Sequence, residues 1–168
     1  MESVPSIQAA LEREAQRVEE DALYSAKGHF EAARRWNQVH FWIGLPAAVM
    51  SAGAGVSALS DEGLLAGVLA LFVAALTATA TFLNPSNRST MHHQAGTQFN
   101  GVRNRARFFR EIELGLGRTD ADLALSLREL TKERDDLNVS SPQIPRWAFE
   151  KARRAIEAGE ATYLVDSD

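Results

Sequence analysis

The chain has 168 residues, 45% of them hydrophobic, with 22 acidic and 18 basic side chains and a formal net charge of −4. Such averages describe one ordinary, slightly acidic domain, and the absence of cysteine excludes disulfides, thiolate zinc sites and a cysteine nucleophile. The averages conceal a partition, because nearly all the charge lies outside residues 36–87.

The N-terminal arm, residues 6–35, reads as an amphipathic helix. Ile7, Leu11, Ala15, Val18, Ala22, Ala26, Phe30 and Ala33 recur at spacings of three and four. Ser6 supplies an N-cap. The other face is charged through Glu12, Arg13, Glu14, Arg17, Glu19, Glu20 and Asp21. No cleavable signal is expected, since Glu2, Glu12 and Glu14 stand where a basic region would be and no apolar run precedes Trp36.

Two uncharged stretches follow, 36–60 and 63–87, parted only by Asp61 and Glu62. Each is 25 residues long, or about 37 Å as a helix against a hydrocarbon core of ~30 Å. So short a turn joins antiparallel neighbours, and a transmembrane hairpin is predicted; a buried hairpin in a soluble bundle is the competing reading. Lys27, Arg34 and Arg35 flank the first stretch, and Arg88 with four further arginines follows the second, while the turn has no basic residue. The positive-inside rule then puts both termini in the cytoplasm.

Within the second span, Gly63, Gly67, Ala70, Ala74, Thr77, Thr81 and Asn84 form a small-residue stripe, read as the packing face. Leu65, Leu69, Phe72, Leu76 and Leu83 form the opposite stripe, read as the lipid face. The first span has two small faces, one with Gly44, Ala48, Ser51, Gly55 and Ala58, the other with Pro46, Met50, Gly53, Ser57 and Ser60. One meets the second span and the other meets neighbouring copies or water. Two helices cannot enclose a channel, so any pore needs several copies. Met50, Gly53, Ser57 and Ser60 are the candidate pore-lining residues, with Thr77 and Thr81 as the alternative edge. Tight oligomer packing without a conduit accounts for the same stripes.

Between Arg88 and Arg110 there are five arginines, two histidines and no acidic residue. Arg103, Arg105, Arg107 and Arg110 are the candidate ligand-binding residues, because the guanidinium fork suits phosphate oxygens. Binding to anionic lipid headgroups, or pairing with Glu19, Glu20 and Asp21, are the other readings of this strip. His92 and His93 diverge on a helix and have no ligating partner three or four residues away, while His29 and His40 lie on the other arm; no metal site is expected. In the cytoplasmic region 88–168, Thr119 and Asp122 open a helix with Leu123, Leu127, Leu130 and Leu137 inward. Pro145 starts another with Trp147, Phe149, Ala152 and Ile156, stopping near Gly159. Residues 163–168 read as a short ordered end or a frayed tail. No paired carboxylates, metal set or phosphate loop is recognisable, so neither catalysis nor a cofactor is expected.

Three blocks carry a resemblance: SAKGHFEAARRWNQVHFWIGLPAAVMSAGAG, LTATATFLNPSNRSTMHHQAGTQFNGVRNRARFFREIE and SSPQIPRWAFEKARRAIEAG. In this order, over roughly residues 15–160, they resemble the SLATT domain family, two-transmembrane effector domains of bacterial conflict systems. The resemblance implies an all-α membrane protein of one domain, residues 1–168. It would be a homo-oligomeric pore in the bacterial inner membrane that serves anti-phage defence by killing or arresting the infected cell. It also implies a nucleotide or oligonucleotide signal as partner. Lacking a fused sensor, this chain would receive it directly or through a separate protein, the synthase being separately encoded. A non-conducting membrane scaffold or anionic-lipid-binding module is the alternative.

Overall fold

The computed structural model describes residues 6–161. It is all-helical: α1 Ile7–Leu59, α2 Gly63–Leu83, α3 Pro85–Glu111, a 3₁₀ turn Glu113–Gly115, α4 Asp120–Ser140 and α5 Arg146–Glu157. No strand occurs among the described residues. The expectation for residues 163–168 lies outside them. The contacts form two compact units, Met1–Ala32 with Met91–Asp168, and Ala33–Thr90. Helix α1 contributes to both, running 53 residues without interruption and passing through Pro46.

In the first unit the N-terminal stripe does what its spacing predicts. Ala15, Val18, Ala22 and Ala26 of α1 are buried, and Val18, Ala22 and Ala26 pack with Phe99, Val102 and Ala106 of α3. Ala15 joins a second cluster with Phe109, Leu123 and Leu127, which brings in α4. Phe99, Phe109 and Leu123 are the largest apolar side chains fully buried, each stabilising by about 1.5–3 kcal/mol. Ile7, at the start of the stripe, is 58% exposed.

The caps follow the sequence closely. The Ser6 hydroxyl accepts from the Ala9 N–H at 3.2 Å. The Thr119 hydroxyl accepts from the Asp122 N–H at 3.2 Å and donates to its carboxylate at 2.7 Å. Leu123 and Leu127 of α4 are buried as expected. In α5 it is Ala148 and Ala152 that are buried, while Trp147 and Phe149 stay over 40% exposed.

In the second unit α2 ends earlier than the predicted 63–87. Asn84 adopts left-handed backbone, φ 43°, and its N–H donates to the Ala80 carbonyl at 2.9 Å. Pro85, whose nitrogen has no hydrogen to give, opens α3 at once. The 21 residues that remain span about 31 Å, still the thickness of a hydrocarbon core. None of them is buried.

Candidate functional site

The apolar half of α1 and the whole of α2 touch through faces that the sequence assigned otherwise. On α2 the partly covered positions are Ala66, Leu69, Val73, Leu76 and Ala80. On α1 they include Ile43, Ala47, Met50, Gly53 and Ala54, with Ser57 buried. A Cβ built on Gly53 would lie 3.4 Å from Leu69 Cδ1. Leu69 and Leu76, expected to face lipid, therefore pack on α1. Met50, Gly53 and Ser57, expected to line a pore, lie against α2 of the same chain. Ser60 sits exposed at the turn, its hydroxyl donating to the Val56 carbonyl at 3.1 Å.

The faces left uncovered include the two other small stripes. Gly44, Ala48, Ser51, Gly55 and Ala58 on α1 are all exposed, as are Gly63, Gly67, Ala70, Ala74, Thr77 and Thr81 on α2. The second of these is the stripe that the sequence marks as the packing face, and among the described residues nothing packs on it. The Thr79 and Thr81 hydroxyls donate to the carbonyls of Ala75 and Thr77 at 2.8 and 2.9 Å, so neither demands water. At the charged end of this unit the Arg88 guanidinium lies 4.8 Å from the Trp36 ring centroid, and the Ser89 hydroxyl donates to the Ala33 carbonyl at 2.9 Å. An arginine stacked on a tryptophan at the limit of an apolar segment is a usual interfacial anchor.

The first unit holds a pairing that sequence reasoning missed. His29 of α1 and His92 of α3 are both buried, with their Nδ1 atoms 2.9 Å apart. Phe99 stacks on the His29 ring at 5.5 Å. Burial, and next the charge His92 would carry, push the His29 pKa down to about 4. The helices meet closely here: a Cβ on Gly96 would come within 2.9 Å of the Phe30 ring and 3.2 Å of the Ala26 carbonyl oxygen. His29 occupies the register of the buried stripe, which was a legible signal; its partner 63 residues away was not. His93 instead lies beside Phe30. Among the described residues no three ligating side chains gather to hold a metal.

The four arginines proposed as ligand-binding are engaged within the protein. Arg110 Nε donates to Glu19 at 3.2 Å, Arg105 pairs with Glu133, and an Arg103 N–H reaches the Ala161 carbonyl at 3.5 Å. Arg107 also has a partner. The intramolecular pairing anticipated for Glu19 is thus present, while Asp21 pairs with Arg134 at 2.8 Å. Arg105 further lines a groove of about 470 Å3 between α3 and α4, with Asn104, Phe108, Glu129 and Glu133. No protein-family model, no curated protein and no solved structure matches this chain.

Proposed function

We propose that the chain is a pore-forming membrane effector of the kind its resemblance to the SLATT domain family implies. In this reading several copies assemble in the bacterial inner membrane, both termini in the cytoplasm, and conduct ions when a nucleotide or oligonucleotide signal biases the assembly. Collapse of the membrane potential then kills or arrests the infected cell. The protein performs no catalysis and needs no cofactor.

One observation carries the membrane half of the proposal: α2 is uncharged, 21 residues long and has no buried residue. The core helix of a soluble bundle would be covered by its neighbours. Here Leu71 is 73% and Phe82 90% exposed, and each such side chain in water forgoes about 1.5–3 kcal/mol. A bilayer supplies the missing cover.

The exposed faces support assembly. On each helix the small stripe lies roughly 100–120° round from the face that meets the other helix, at about 100° per residue. In an antiparallel hairpin the sense of rotation reverses between partners, so the two small stripes come to the same side. Trp42, Leu45, Val49 and Val56 of α1, with Leu65, Val68 and Phe72 of α2, fall on the other side. The hairpin then has one bulky side suited to lipid tails and one smooth side, carrying Ser51, Gly55, Gly67, Ala74 and Thr77, suited to neighbouring copies and a conduit. The pore-lining assignment accordingly moves from Met50, Gly53 and Ser57 to this smooth side, keeping Thr77 and Thr81.

Signal binding by Arg103, Arg105, Arg107 and Arg110 is the dependent half. Phosphate would have to replace the carboxylates of Glu19 and Glu133, and it could gate only by favouring one arrangement of the pore. A voltage-sensitive dye in cells expressing the protein tests the whole: signal-dependent depolarisation is expected. The Arg103→Glu, Arg107→Glu double variant should lose the response while staying in the membrane.

A further inference from the structure

Helix α5 is short, and its two flanks are held by α1 at different heights. Ala148 and Ala152 form its buried edge. On one flank Phe149 lies 6.2 Å from the Tyr24 ring. On the other, the Lys151 ammonium pairs with Glu31 at 2.7 Å. Glu31 is seven residues beyond Tyr24 on the same helix, about 10 Å further along its axis. The Lys151 flank is therefore turned toward the C-terminal direction of α1 within this unit.

Trp147 and Arg154 share that flank with Lys151, at spacings of four and three. Trp147 is 44% exposed, an unfavourable place for a large indole in water and a favourable one at a headgroup layer. The Arg154 Nε–H donates to the Glu150 carbonyl at 3.3 Å, and among the described residues no carboxylate is bonded to its guanidinium. Basic side chains beside tryptophan on a short amphipathic helix are the composition of an interfacial segment.

We propose that α5 is an interfacial helix whose Trp147 and Arg154 flank binds anionic lipid headgroups at the cytoplasmic leaflet. The assignment rests on the membrane reading above and adds a second lipid contact outside the spanning helices. It makes the tail part of the membrane-bound protein, so that leaflet charge bears on the packing of α5 against α1.

The cysteine-free chain allows a direct test on the whole protein in lipid nanodiscs. A spin label at position 147 (Trp147→Cys) is compared with one at the outward position 153 (Arg153→Cys), in discs of phosphatidylcholine alone and with phosphatidylglycerol. The expected result is an oxygen-to-nickel-complex accessibility ratio at least threefold higher at 147 than at 153, rising with phosphatidylglycerol. Arg154→Gln should remove at least half of that rise. Equal ratios at the two positions, or a label shielded from both reagents by another copy, would overturn the assignment. So would a rise that ignores Arg154→Gln. Should Trp147→Cys misfold, the emission difference between the native chain and Trp147→Phe reports the same contact. It should be quenched at least twofold by brominated phosphatidylglycerol, and unquenched emission refutes the proposal. A native chain that enters no disc refutes the membrane reading and this assignment together, whereas a native chain in discs with an unquenched Trp147 refutes this assignment alone.

Discussion

His29 and His92 share one hydrogen bond between their Nδ1 atoms, 2.9 Å apart inside the α1–α3 packing. One ring must donate and the other accept, so the contact holds only while at least one imidazole is neutral. Its acid side is open to measurement. The folded His29 pKa is about 4, below the ~6.5 of an unfolded chain, so the unfolded state takes up the proton first. The stability it represents is complete above about pH 6.5 and drains away as the pH falls toward 4, amounting to on the order of 3 kcal/mol. Thermal unfolding in detergent should show this acid loss. His29→Gln, which keeps a polar partner for His92 but does not titrate, should reduce the loss by at least half.

The close approach at Gly96 predicts substitutions of opposite sign on one helix. Gly96→Ala must displace the Phe30 ring or widen the gap to the Ala26 carbonyl, at a cost of about 1–3 kcal/mol. Gly101→Ala meets nothing within 4 Å and should stabilise by up to ~1 kcal/mol through helix propensity. Chemical denaturation of the two variants checks both signs.

What the sequence made legible follows from contrast between faces. The stripe from Ala15 to Ala26 stands against a charged face, so its burial could be read directly. The Thr119 cap is local chemistry and was equally legible. Along α1 and α2 beyond Trp36 every face is apolar or small, and periodicity has nothing to choose between. The choice of Leu69 and Leu76 over the glycine stripe as the face toward α1 is made by three-dimensional fit. The His29–His92 contact joins residues 63 apart, and no pattern in a single chain fixes such a partner; for Arg110 and Glu19, 91 apart, charge complementarity offered the pairing only as one reading of the arginine strip among three. The exposure of Trp147 was hidden because the alanines beside it, not the aromatics, make the buried edge of α5.

Arg110 and Glu19 are partly buried, with side chains 31% and 15% exposed. Glu19→Gln leaves the half-covered Arg110 guanidinium with Glu111, 3.0 Å from its Nη2, as its carboxylate and should cost about 1 kcal/mol, within the range between exposed and buried pairs. The same variant removes the carboxylate from Arg110 Nε, the position a phosphate oxygen would take. If the arginine strip receives the signal, nucleotide affinity in the Glu19→Gln protein should rise several-fold by calorimetry. Unchanged affinity would return Arg110 to a purely structural role.

The central claim is a conduit built from the smooth side of several hairpins, and single-channel recording of Ser51→Cys protein in planar bilayers tests it most directly. Ser51 is exposed and on the small stripe of α1 that α2 leaves uncovered. The account predicts discrete current steps from the wild-type and the variant protein. A water-soluble, charged thiol reagent should then reduce the variant's current at least tenfold and leave the cysteine-free wild type untouched. Absence of current from the wild-type protein in the presence of its signal, or full current through the modified variant, would contradict it.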